Sequence, residues 1–136
     1  MGLHLRTNHY IFEIGTSEFL TSFFDTIEVR LTKGLFGKKY PIILNELYQG
    51  NLNYENLDLA KKELNDIQKR LKKLKPSKVV WDKYDRNKKP PWGNNISPDI
   101  TNLSNYFVTS GGKDLFEVIL RAIETAKSEK SGITIE

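Results

Sequence analysis

The stretch YENLDLAKKELNDIQKRLKKLK, Tyr54–Lys75, decides how this chain is read. Leu57, Ala60, Leu64, Ile67, Leu71 and Leu74 recur at alternating spacings of three and four, with Lys, Arg, Asp, Glu and Gln between them. That period predicts a helix with one apolar stripe and a solvated opposite face. Full burial of each Leu or Ile contributes roughly 1.5–3 kcal/mol. The stripe runs for nearly three heptads, short of the three to four that mark a coiled coil. A helix packed on a sheet is therefore the favoured reading, and a coiled-coil homodimer the lesser one. Lys75-Pro76 ends the helix, because the residue before a proline is pushed out of the helical region.

Working toward the N-terminus, Tyr40-Pro41 with Ile42, Ile43, Leu47 and Tyr48 predicts a short helix, with Pro41 in its first turn and Gly50 after its end. Lys33–Lys39 is a glycine-punctuated connection. Phe19, Leu20, Phe23, Phe24, Ile27 and Leu31 form one wide apolar helical face, opened by a Thr16-Ser17 cap with Glu18 in the first turn. Leu3, Leu5 and Tyr10–Ile14 predict one strand or two short ones, ended by Gly15.

Toward the C-terminus, Lys78-Val79-Val80-Trp81 predicts a short strand. An irregular run follows, WDKYDRNKKPPWGNNISPDITNLSNYFVTSGG, Trp81–Gly112, holding both Trp and three of the five Pro. Irregular runs beyond about 12–15 residues are usually functional or disordered. Disordered segments are poor in aromatics, whereas this one carries Trp81, Tyr84, Trp92, Tyr106 and Phe107. Such a run is pinned to the core or displayed for a partner. Within it Tyr106–Thr109 predicts a strand, Lys113–Lys130 a helix, and Ile133–Ile135 a closing strand. The order β, α, α, α, β, loop, β, α, β places 1–136 in one α+β domain, with several helices packed on a small, mainly antiparallel or mixed sheet.

Composition sets the class. The 136 residues are 38% hydrophobic and 28% charged, an ordinary balance for a soluble domain. Cysteine is absent, which removes disulfides, thiolate nucleophiles and Cys-ligated metals and fits a reducing cytoplasm. The N-terminus lacks a signal-peptide layout, and Arg6 breaks a myristoylation motif. No apolar run approaches the ~18 residues of a membrane span. The net charge of +4 is unevenly distributed: Lys61–Pro91 carries 12 Lys and Arg against 4 Asp and Glu, a net of +8, leaving −4 for the remainder. Either a solvated Lys-rich face or an acidic partner accounts for this.

No catalytic constellation emerges. His4 and His9 are structural or surface residues. Asp82, Asp85 and Asp99 are interspersed with Lys83, Arg86, Lys88 and Lys89, so local ion pairing is the simpler account than acid–base or Mg²⁺ chemistry. Ser110-Gly111-Gly112-Lys113 lacks the full phosphate-loop pattern. Catalytic residues, metal ligands and cofactors are therefore expected to be none. The basic segment with Trp81, Tyr84 and Trp92 leaves a small basic nucleic-acid-binding module as the alternative, without any recognition motif for it.

Four pieces carry a family resemblance: SFFDTI, Ser22–Ile27; YPIILNELYQG, Tyr40–Gly50; PSKVVWD, Pro76–Asp82, with PPWGNNISPDITNLSNYFVTSGGKDLF, Pro90–Phe116; and the Lys-rich helix between them. Together the chain resembles the bacterial polymorphic-toxin immunity proteins of the group named immunity protein 70. Tyr40-Pro41 stands where the family is expected to carry Phe-Pro. The resemblance implies a cytoplasmic non-enzyme that binds the C-terminal toxic domain of a secreted toxin encoded beside it. It carries over no catalytic residues. The irregular run then supplies the expected contacts: Tyr84, Lys88, Lys89, Trp92, Asn94, Asn95 and Asp99, aromatic and charged groups of the kind that anchor interfaces.

Overall fold

A computed structural model describes residues 3–32, 39–82, 84–85, 87–90, 96–109 and 111–136. The first apolar segment is two strands, β1 (Leu3–Arg6) and β2 (Ile11–Gly15), joined by a turn in which the Thr7 N–H donates to the Tyr10 carbonyl at 2.9 Å. Their register shifts between Leu3, opposite Gly15, and His4, opposite Glu13. Gly15 absorbs that irregularity with φ of 146°, a conformation side chains disfavour.

Thr16 caps the next helix, its hydroxyl accepting from the Phe19 N–H at 3.3 Å. Helix α1 (Ser17–Thr26) continues into a π-helical turn, Ile27–Leu31. Its apolar face delivers Phe23 to the centre of the core. There Phe23 meets Phe24, Phe107 and Phe116 edge-on, with ring centroids 5.2–5.4 Å apart. A second short helix opens at Pro41 and becomes π-helical over Ile43–Leu47. Gly50 follows it with φ of 95°, as its predicted place after the helix end requires.

Helix α2 (Leu57–Leu71) buries Leu57, Ala60, Leu64, Ile67 and Leu71, the predicted stripe. It packs against α3 (Leu115–Glu129), with Lys61–Glu124 and Asp58–Lys127 ion pairs at 2.8 and 2.7 Å along the seam. The stripe is thus covered within the chain and is not a coiled-coil face. Asp114 caps α3 by accepting from the Phe116 N–H at 2.9 Å.

Strands β3 (Asn51–Leu52) and β4 (Ile133–Ile135) complete a four-stranded sheet in the order β2-β1-β4-β3, with neighbours antiparallel throughout. Helices α1 and α3 pack on it. The molecule is α+β, as expected, with the mixed alternative resolved as antiparallel.

Two predicted strands are corrected. The predicted strand Lys78–Trp81 joins no sheet among the described residues: Lys78 ends a 3₁₀ turn that begins at Pro76, Val79 is extended and Trp81 lies in a bend. Its hydrogen bonds go to side chains of α1 instead. The Val80 N–H donates to Thr26 Oγ1 at 2.9 Å, and the Val80 carbonyl accepts from Ser22 Oγ at 2.6 Å. Among the described residues Tyr106–Thr109 likewise forms only one bridge, Val108 with Asp114, and Thr109 N–H donates to the Lys113 carbonyl at 2.7 Å. Both segments have strand-like composition, but their backbone groups find nearer partners than the sheet.

Candidate partner-binding surface

The irregular run is a tethered surface. At its start Val80 is fixed to α1, and Trp81 lies half-buried 6.4 Å from the Phe19 ring. At its far side the Leu103 N–H donates to the Leu74 carbonyl at 3.0 Å, just past the end of α2. Short side-chain turns shape the chain between these ties. Asp82 accepts from the Tyr84 N–H at 2.9 Å and Asp85 from the Asn87 N–H at 3.2 Å. Further on, Asn105 Oδ1 accepts from Thr101 and Asn102, while its amide donates to the Asp99 carbonyl at 3.1 Å. The acids considered for catalysis therefore serve as turn formers in two of three cases.

This framework displays Tyr84, 87% exposed, with Lys88 and Lys89 also exposed. Lys88 lies between two clefts. One, of about 540 Å³, is basic: Arg30, Lys75, Lys88 and Lys89 line it over an apolar floor that includes Pro76, Val79 and Ile96. The other, of about 290 Å³, is acidic: Glu18, Asp25 and Asp82 line it with Trp81 and Tyr84. The Lys88 ammonium is 3.8 Å from Asp82, an exposed pair that contributes little stability.

Of the seven contacts expected from sequence, Tyr84, Lys88 and Lys89 share this neighbourhood. Asp99 sits on a separate exposed turn and lines neither cleft. Trp92, Asn94 and Asn95 lie outside the described residues. Sequence reasoning missed Arg30 and Lys75 as partners of this site. Arg30 arrives from the end of the α1 region, its Nε donating to the Lys78 carbonyl at 2.8 Å. Nothing local to Arg30 signals that contact. Lys75 could have been found from Pro76, which holds it extended at the mouth of the cleft with φ −69° and ψ 152°.

The two histidines bring no chemistry together: His4 is half-buried on β1 and His9 is exposed in the following turn. Ser110 is outside the described residues, and Gly112, with φ of 80°, forms the tight turn closed by Thr109. Among the described residues no helix is long and apolar enough to cross a membrane.

Helices packed on an antiparallel sheet, with a charged irregular segment tethered at both ends, define an α+β protein that presents a shaped surface. The model of the family Immunity protein 70 matches residues 5–135, and the chain belongs to that family. No curated protein and no solved structure matches it.

Proposed function

We propose that this protein protects the cell that makes it by binding the toxic C-terminal domain of a secreted toxin encoded beside it. Binding is stoichiometric and covers the toxin's active site or a surface the toxin requires. The protein acts in the cytoplasm and as an inhibitor rather than an enzyme. Family membership over nearly the whole chain carries this reading. The exposed cluster of Tyr84, Lys88 and Lys89 supports it as the contact surface, with Asp99 as a further contact from its separate exposed turn. A pre-shaped backbone limits the ordering cost of binding to the side chains themselves.

The test is co-expression with the neighbouring toxin domain. The expected result is restored growth and a one-to-one complex that survives purification. Persistent growth arrest with no complex removes the proposal.

A further inference from the structure

We infer that the basic cleft receives an acidic segment of the toxin domain, with carboxylates seated against Lys75, Lys88 and Lys89 and a neighbouring apolar side chain on Val79 and Ile96. This rests on the immunity reading above and supplies the chemistry of its contact.

Three observations lead here. Among the described residues four cations and no carboxylate line the cleft. Most carboxylates elsewhere are already engaged within the chain. Asp58, Asp66, Glu117, Glu124 and Glu136 hold ion pairs, and Glu46, Glu63 and Glu129 accept from backbone N–H groups. Lys75 and Lys89 have no ion-pair partner among the described residues. Of the described cations of the basic segment only Lys61, Arg70 and Lys88 hold an ion pair, so the segment keeps unmatched charge at a concave site.

The occupant is protein rather than nucleic acid for two reasons. A phosphate chain leaving the cleft past Lys88 would meet Glu18 and Asp82 of the adjoining acidic cleft. Single-strand binding also needs successive exposed rings for stacking. Here Trp81 is half-buried near Phe19 and Tyr106 is buried, so among the described lining residues Tyr84 alone offers an exposed ring. Carboxylates beside apolar groups fit both the cations and the floor.

The experiment titrates an inactivated form of the toxin domain encoded beside the chain against wild type, K75E, K89E, the double variant and K62E, at low and high salt. Lys62 lies exposed on α2 and lines neither cleft. The double variant is expected to raise Kd about tenfold or more, mainly through slower association, and to flatten the salt dependence. K62E should leave both unchanged. Lys75 and Lys89 are exposed, so all variants should keep the wild-type circular dichroism spectrum and urea midpoint. If wild type binds and the double variant binds equally well with the same salt slope, the inference is overturned and the immunity reading stands. If wild type itself fails to bind, the immunity reading falls and the cleft assignment with it. A single-stranded oligonucleotide is titrated in parallel. Oligonucleotide binding that the double variant loses, with toxin binding untouched, reassigns the cleft and also overturns the inference.

Discussion

Tyr40 shows how much one side chain adds beyond its hydrophobic pattern. Its ring is buried, as a Phe at that position would be, and its hydroxyl donates to Asp66 Oδ2 at 2.7 Å. Asp66 also accepts from Arg70 Nε at 3.0 Å. Burial, and then the bond to Asp66, hold the Tyr40 hydroxyl well above the usual phenol range, while the same bond holds Asp66 below the usual carboxylate range. Y40F should therefore destabilise the fold by about 0.5–1.5 kcal/mol at neutral pH. The pH dependence follows from the signs. The unfolded chain releases the Tyr40 proton near pH ~10 while the folded chain retains it, so this contribution is full below pH ~10 and lost above it. The Asp66 contribution is full above pH ~4 and lost as acid protonates it. Urea unfolding of both proteins across pH should show the wild-type advantage shrinking at each extreme. An advantage constant from acid to alkali would reject the hydrogen bond as its source. An aromatic before Pro41 is legible in the sequence, but a hydroxyl partner 26 residues away is not.

At the scale of elements, helix starts are held by side chains from near and far. Glu63 on α2 accepts from the Ile42 and Ile43 N–H groups at 3.2 and 2.9 Å, capping the short helix that opens at Pro41. Burial raises the Glu63 pKa despite those two bonds. E63A should lose about 1–2 kcal/mol by leaving half-buried N–H groups unpaired, and E63Q should recover about half of it, because the two N–H groups bond separate carboxylate oxygens and Gln offers one acceptor oxygen. Equal losses for Ala and Gln in urea titrations would show that charge, not hydrogen bonding, holds the helix start. Gly132 tests the sheet: a Cβ there would lie 2.6 Å from the Leu52 carbonyl oxygen of β3. G132A should cost about 1–3 kcal/mol by overpacking the β3–β4 pair, seen as a lower urea midpoint with an unchanged slope. The same elements mark the limit of sequence reading. The α2 stripe, the α3 face, Thr16 as a cap and Ile133–Ile135 were legible because periodicity or cap chemistry is local. Strand β3, at two residues, is too short to show alternation. Val79–Trp81 has the composition of a strand, and only the distant Ser22 and Thr26 decide that it is not one. Gly132 reads locally as a helix stop, whereas its close approach to Leu52 is set by folding.

For the whole molecule, core and contact surface are separable. The core joins α1, α2, α3, the sheet and Leu103, Tyr106 and Phe107 from the end of the irregular run, while Tyr84 projects from the tethered part of that run and is 87% exposed. The contact site was half legible for this reason. Exposed aromatic and charged residues announced the segment, but Arg30 and Lys75 reach it only through the packing of α1 and the turn at Pro76. Separability predicts two independent readouts. Y84A should leave the unfolding free energy from urea titration within about 0.5 kcal/mol of wild type, as surface changes usually do. It should also weaken toxin binding by more than about 1 kcal/mol if Tyr84 is an anchor. Binding to the folded state alone stabilises it by mass action. Toxin domain at 100 times Kd should add about 2.7 kcal/mol to wild-type stability, and at that same concentration a tenfold weaker Y84A should gain only about 1.4 kcal/mol. Thermal melts of both proteins with and without inactivated toxin check this. A Y84A protein that melts early on its own makes Tyr84 part of the fold. One that melts normally and gains as much from toxin as wild type removes Tyr84 from the interface. A normal melt with a reduced gain is the outcome that separable surfaces require, because the tethers at Val80 and Leu103 hold the segment in place without the tyrosine ring.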